Sequence, residues 1–349
     1  MIIADTRTIN GNWYHLQVAI KGDILMHKIL GLILAIVLGP VALALPPLTQ
    51  ATSSLGAVEL DGYLYVYGGH AGKTHKFNTE TVLGTFQRLK LDGGKEWESL
   101  PGGPKVQGMN LVTHGGKIYR IGGLQPKNTP DLPADNVSIT DCSCFDPKTN
   151  KWVPIVSLPA GRSSHDLVVA GDKLIVVGGW ESRGKGNMPL WHGTSLTLDL
   201  KSTDAKWESI PQPFQRRALT AASLGNKVYV ICGMDENGAL ISQVDVFDLV
   251  TKKWSLAPTL PGDKTGFSPA ANSVKNKIIV STSEGLLFRL NELGDAWEKV
   301  GTSNTKRIVH RLVPFGNNAL LVGGAAPGGA GNFADLEVVT ISEKGEKVP

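Results

Sequence analysis

One pattern recurs six times along this chain: an apolar strand that ends in a pair of small residues. It reads Leu64-Tyr-Val-Tyr-Gly-Gly69, Ile118-Tyr-Arg-Ile-Gly-Gly123 and Leu174-Ile-Val-Val-Gly-Gly179, then Val228-Tyr-Val-Ile-Cys-Gly233, Ile278-Ile-Val-Ser-Thr-Ser283 and Ala319-Leu-Leu-Val-Gly-Gly324. The second small residue falls at 69, 123, 179, 233, 283 and 324, at spacings between 41 and 56 residues. Tryptophans follow at 97, 152, 207, 254 and 297, and Gly345 holds the sixth such place. A period near 50 with strands inside it is the mark of a radial array. The third unit shows its four strands plainly, over 166–170, 173–177, 195–200 and 206–210, with a tight turn at Gly171-Asp172. A single unit has two apolar faces and cannot bury both, whereas six around an axis bury them all and protect the inner sheet edges. The expectation is an all-β, six-bladed propeller with four antiparallel strands per blade. The five periodic tryptophans then pack between neighbouring blades. Residues 334–341 and 346–348 are expected to complete the last blade from the C-terminus. The alternative, an outer strand from the residues after Ala44, is less attractive because Pro46 and Pro47 cannot donate to a ladder.

Composition excludes the competing classes. With 42% hydrophobic residues the 349-residue chain is no disordered segment, and 41 Gly with 20 Pro exclude a coiled coil. A formal charge of +4 is too weak to indicate a nucleic-acid surface. The 3 Cys provide no disulfide framework and no paired CxxC clamp.

The N-terminus carries its own signal. Residues 29–45 form an apolar run behind Met26, His27 and Lys28, broken by Gly39-Pro40 and ending in Ala42-Leu43-Ala44. A positive start, an apolar middle and a small-x-small exit describe a secretory signal peptide over 26–44, cleaved after Ala44. A retained anchor is the alternative, although the run is shorter than the ~20 residues of a spanning helix. Residues 1–25, with Asp5 and Asp23 ahead of the positive start, read as a product of start-site choice. The remaining 45–349 form one propeller domain. It is expected to be periplasmic or secreted, monomeric and without a membrane span.

The glycine pairs and the lagging tryptophans resemble the kelch repeat, best in Asp146-Pro-Lys-Thr-Asn-Lys-Trp152 and Asp248-Leu-Val-Thr-Lys-Lys-Trp254. The resemblance runs over 52–349, with the fifth copy degenerate. It implies a shallow central channel and binding at the face made by the loops entering the inner strands and those after Gly-Gly. WD40 blades would need Gly-His and Trp-Asp pairs at the repeat period, and these do not occur. Copper oxidases built on kelch blades need Tyr and His ligands beside a modified cysteine, and no such set stands out. In export signal and blade count the chain is also similar to periplasmic sialic acid mutarotases, a likeness of fold only.

The candidate site follows from repeat equivalence. Arg162, Arg216 and Arg307 precede inner strands in three sectors, with His165 and His310 close behind. Converging guanidinium groups favour a carboxylate or phosphate, while the plainer alternative is that they bind loop carbonyls and nearby acids. Trp180 and Trp191 lie off the repeat register in a long loop with Glu181, a set suited to a sugar ring or a peptide or else to packing the insert down. The function expected is a non-catalytic binding module for an anionic small molecule, a carbohydrate, a peptide or a protein. The alternative is a mutarotase or epimerase on an anionic sugar, with Glu181 and either Arg216 or His165 as acid and base. Histidine spacing specifies no metal site, and no cofactor is expected. Cys142 and Cys144 face the same way on one strand, Cys232 fills a small-residue place, and Asn136-Val-Ser138 is a glycosylation acceptor sequence.

Overall fold

The computed structural model describes residues 45–262 and 266–348, and ahead of them the backbone of four two-residue strands. Those four, Ile2–Ile3, Thr8–Ile9, Asn12–Trp13 and Gln17–Val18, pair first with fourth and second with third. The apolar run over 26–44 lies outside the described residues. Among the described residues there is no helix long and apolar enough to cross a membrane.

From Leu45 onward the chain is a six-bladed β-propeller. Blade 1 is Gly56–Leu60, Tyr63–His70, Val82–Lys90 and Glu98–Leu100; blade 2 is Leu111–His114, Lys117–Ile121, Cys142–Asp146 and Lys151–Pro154. Blade 3 is Asp166–Ala170, Lys173–Val177, Thr194–Asp199 and Glu208–Pro211, within two residues of the ranges expected from sequence. Blade 4 is Thr220–Leu224, Lys227–Ile231, Val244–Asp248 and Lys253–Ala257. Every pairing within these sheets is antiparallel.

The sequence pattern follows the burial. Second strands such as Lys173–Val177 are apolar almost throughout because neighbouring blades cover both faces, and outer strands such as Glu208–Pro211 are exposed. Gly178 shows why the blade ends in glycine. Its φ is +63°, and a Cβ there would meet the Leu219 side chain at 2.3 Å and the Arg216 carbonyl at 2.7 Å, both from the next blade. The periodic tryptophans tie blade to blade: Trp152 Nε1 donates to Pro101 O at 2.8 Å, Trp207 to Val156 O at 3.0 Å, and Trp254 to Pro211 O at 2.8 Å.

Blades 5 and 6 depart from the expected closure. Among the described residues blade 6 has only Arg311–Phe315, Asn318–Val322 and Leu336–Val339. The C-terminal Glu346–Lys347 does not complete it. It adds a fifth strand to blade 5, beside Trp297–Thr302 and outside Leu286–Leu290, Lys277–Ser281 and Ala270–Val274. Two residues explain the crossing. Arg289 Nη1 and Nη2 donate to the carbonyls of Ser342 and Glu343 at 3.2 and 3.1 Å, while its guanidinium pairs with Glu298 at 2.6 Å. A Cβ at Gly345 would lie 2.5 Å from Glu298 Cβ, so the glycine in the place of a sixth tryptophan lets the tail lie on blade 5.

The N-terminal strap closes the ring instead. Leu48 N donates to Ala334 O at 2.7 Å and Thr52 N to Phe333 O at 3.1 Å, and Leu45 and Leu48 pack into the core shared by blades 6 and 1. Trp97 Nε1 donates to Pro47 O at 2.7 Å, so Pro47 takes the place that Pro101 and Pro211 hold between other blades.

Candidate functional site

Each blade is entered through a residue with left-handed backbone: Ser54 (φ 54°), Gly108 (61°), Ser164 (51°), Ala218 (52°), Ser268 (46°) and Val309 (48°). For β-branched Val309 this is an uncommon, strained conformation. These residues form a ring around the channel mouth, joined head to tail. The amide of Ser54 donates to Val309 O, Gly108 to Ser54 O, Ser164 to Gly108 O, Ala218 to Ser164 O, and Ser268 to Ala218 O, all at 2.7–2.9 Å.

Two residues further on, the inner strands present Asn110, Asp166, Thr220 and Arg311, which close the channel beneath the ring. Asp166 is 1% exposed and accepts from Asn110 Nδ2 at 3.0 Å, Thr220 Oγ1 at 3.1 Å and the amides of Leu167 and Ala221 at 3.0 and 2.9 Å. Arg311 reaches it from across the pore at 3.5 Å, and donates to Leu55 O at 2.8 Å and Met109 O at 2.6 Å. The result is a cup rather than a conduit. Its volume is about 390 Å³. The apolar lining includes Phe77, Leu124, Leu219, Phe267 and Ile308, and among the described residues it contains no Asp or Glu.

The three arginines expected to converge here do not. Arg162, Arg216 and Arg307 are 1–3% exposed and none lines the cup. Arg162 Nη1 donates to Gly178 O at 3.1 Å and Thr194 O at 2.9 Å, and burial lowers its pKa to about 10. Arg216 pairs with Asp245 and donates to Gln243 O at 3.1 Å. Arg307 donates to Gly323 O at 2.8 Å and pairs with Asp335 and Glu337 at 2.7 and 2.8 Å. Each pins an entry loop to its own blade, which is the plainer alternative raised by the sequence. The physical reason is alternation. In an extended loop successive side chains point to opposite sides, so when these residues face the blade their successors face the cup. Arg217 and Ile308 do line it, as do the equivalent Ser53, Gln107 and Phe267, whereas Ser163 after Arg162 is buried with its hydroxyl 2.7 Å from that of Ser138.

The other candidates divide. His165 and His310 line the cup and are 2% and 1% exposed. Burial, with Arg162 and Arg311 near the first and Arg307 and Arg311 near the second, lowers both pKa values to about 3. Both imidazoles are therefore neutral at physiological pH. His310 Nε2 lies 3.0 Å from Ser281 Oγ. Trp180 also lines the cup, and Trp191 stands behind it in a two-strand hairpin, their rings 5.6 Å apart. Glu181 faces away and pairs with Arg183 at 2.7 Å, so the suggested acid–base pairs of Glu181 with Arg216 or His165 are not assembled. Asn136, of the glycosylation sequence, lies on the cup wall. Cys142, Cys144 and Cys232 are buried and free.

Sequence reasoning missed Arg217 and Arg311. Arg217 stacks over Trp180, with 4.2 Å from guanidinium to ring centroid, and lies 5.6 Å from the Trp191 ring. The signal for it was its place, one residue after the loop-pinning arginine.

Residues 108–324 match the KLHDC2/KLHL20/DRC7 Kelch-repeats domain. Kelch-like protein 36 of Rattus norvegicus is 28% identical over 199 residues, which are 54% of this chain and 32% of that protein. Kelch-like protein terF of Aspergillus terreus is 23% identical over 212 residues, 60% of this chain and 45% of that protein. The chain thus spans a third to a half of the length of these relatives. The solved structure of YjhT matches with a TM-score of 0.70 at 18% identity, covering 86% of this chain and 98% of that one, a likeness of fold. With the repeat units, the blade geometry and a family match over more than half of its length, the chain belongs to the kelch-repeat family.

Proposed function

We propose that this chain is an exported kelch propeller that works, as a single chain, as a non-catalytic binding module, taking a carbohydrate, peptide or protein segment into the cup. The observation that carries this reading is the cup itself: a cavity of about 390 Å³ walled by the blade loops and floored by the Arg311–Asp166 contact. Concave sites that join apolar walls to a few fixed polar groups are the usual form of a ligand site. Of the groups cast as acid and base, His165 is held near 3 and Glu181 is engaged by Arg183. Export rests on the apolar segment behind Lys28, and N-terminal sequencing of the secreted product tests it.

The cup is tested by filling it. Ala326 lines the mouth on the blade 6 loop, and Ala326→Trp would occupy the cavity without touching the ring. On glycan and peptide arrays the wild-type chain should retain a defined set of ligands that A326W loses. Equal retention by both proteins would place binding elsewhere.

A further inference from the structure

We propose that the cup selects a carboxylate carried on an apolar body, and that Arg217 is the residue that selects it. This rests on the reading of the cup as the binding site.

The first observation is a charge without a partner. Nine arginines fall in the described residues. Arg88, Arg183, Arg216, Arg289 and Arg307 pair with acids, as do Arg120 and Arg311, and Arg162 is held by two carbonyls. Of these nine side chains, that of Arg217 alone makes no hydrogen bond or ion pair; its contacts are the two tryptophan rings, and its Nε is buried without a partner. A half-buried guanidinium in this state is costly, and stacking on Trp180 recovers only about 1–2 kcal/mol. An oxyanion facing the guanidinium fork would supply what the fold withholds.

The second observation is the charge balance of the cup. Among the described residues its lining has no carboxylate, its other arginine is committed to Asp166 and two carbonyls, and its two deepest histidines are neutral. The one uncommitted arginine of the lining matches a carboxylate monoanion, and alone it leaves a phosphate dianion under-neutralised. An unpartnered polar atom, Trp180 Nε1, sits on the same side, beside His165, a residue 98% buried. Elsewhere on the wall Phe77, Phe267 and Ile308, set among the polar His70, His75 and Asn332, offer contact to a hydrocarbon or aromatic body.

The test uses calorimetry on the full chain with three probes of one shape: benzoate, benzamide and phenyl phosphate. Benzoate should bind, benzamide should bind roughly tenfold or more weakly, in keeping with the strength of charge-assisted hydrogen bonds, and phenyl phosphate should bind no better than benzoate. Arg217→Gln should remove the preference for benzoate and leave benzamide unchanged, with Arg217→Lys in between. The comparison of benzoate with benzamide on the wild-type chain needs no variant, so it stands even if R217Q does not fold. Equal binding of benzoate and benzamide, or tighter binding of phenyl phosphate, overturns the proposal. If A326W abolishes that binding too, the cup survives as the binding site while the carboxylate assignment falls. Benzoate binding that A326W leaves unchanged overturns both, and no binding of benzoate at millimolar concentration overturns the carboxylate assignment.

Discussion

Arg311 of blade 6 and Asp166 of blade 3 meet across the centre of the propeller at 3.5 Å, and through their partners they engage all six blades. Arg311 holds the carbonyls of Leu55 ahead of blade 1 and Met109 ahead of blade 2, and Asp166 holds Asn110 of blade 2 and Thr220 of blade 4. Thr220 Oγ1 in turn accepts from Ala271 N of blade 5 at 3.0 Å. A propeller has no core that runs through its axis, so a polar hub of this kind makes the ring behave as one body.

Removing one member of the hub should therefore be expensive. Arg311→Met leaves Asp166 buried and stripped of its counter-charge, and loss of one partner from such a pair costs about 3–5 kcal/mol. Urea unfolding should show this loss in the midpoint with the slope unchanged. A cost below about 1 kcal/mol would mean that the Asn110, Thr220 and backbone donors already satisfy Asp166.

His165 and His310, two of the four histidines that line the cup, make the fold acid-sensitive. Their folded pKa is about 3, against about 6.5 for an unfolded histidine, so the unfolded chain binds more protons between those values. Their stabilising effect is intact above pH 6.5 and is lost as pH falls toward 3. Each removes up to about 1.4 kcal/mol per pH unit in that window. The groups facing His165 are Arg162, Arg311 and His192, and those facing His310 are Arg307 and Arg311. The double variant H165Q/H310Q should thus lose less stability than wild type between pH 7 and 5. Parallel losses in both proteins would show that the carboxylates, not these imidazoles, govern acid unfolding.

The seam is the third test. Trp97→Phe removes the hydrogen bond to Pro47 and part of the ring that packs on the core of blades 6 and 1, and should cost at least about 1 kcal/mol. Trp152→Phe, which removes the equivalent bond to Pro101, should cost about the same. Deleting 45–48 also removes Leu45 and Leu48 from the core of blades 6 and 1, at roughly 1.5–3 kcal/mol for each leucine that is fully buried. Limited proteolysis of the deletion should then begin near Leu336–Val339, whose outer edge no strand among the described residues covers. Unchanged stability would mean that Glu346–Lys347 and the blade 5 edge hold the ring closed by themselves.

What repeats could be read from the sequence, and what occurs once could not. The glycine pairs, the tryptophans and the strands of blade 3 state the same local physics several times over, so spacing alone locates them. The closure depends on unique contacts, Arg289 with the Ser342 and Glu343 carbonyls and Gly345 against Glu298, which no period announces. The site failed by one residue. Arg216 and Arg217 are equally basic and adjacent, and only the direction of the loop decides that the first pins blade 4 and the second faces the cup. His165 and His310 were found because they share a repeat position. Arg311 was passed over because an arginine at the start of an inner strand has no equivalent in the other five blades, where Gly56, Asn110, Asp166, Thr220 and Ala270 stand.

The last prediction separates binding from turnover. Opening and reclosing a sugar hemiketal requires one group to deliver a proton and another to remove one, each titrating near the working pH. Among the described residues, the groups cast for those two roles are not assembled in the cup. Its lining lacks Asp and Glu, the imidazoles of His165 and His310 stay neutral down to about pH 3, and the nearby Glu181 carboxylate is paired with Arg183 on the far side of its hairpin strand. Arg217 can hold an anion but cannot exchange protons at neutral pH, because a guanidinium does not deprotonate there. Catalytic amounts of the chain should therefore leave the anomer exchange of sialic acid at its spontaneous rate, followed by proton NMR from a single crystallised anomer. Glu181→Gln should behave identically. An accelerated exchange that E181Q abolishes would show that the Glu181–Arg183 pair opens to reach a bound sugar, and would turn the binding module into an enzyme.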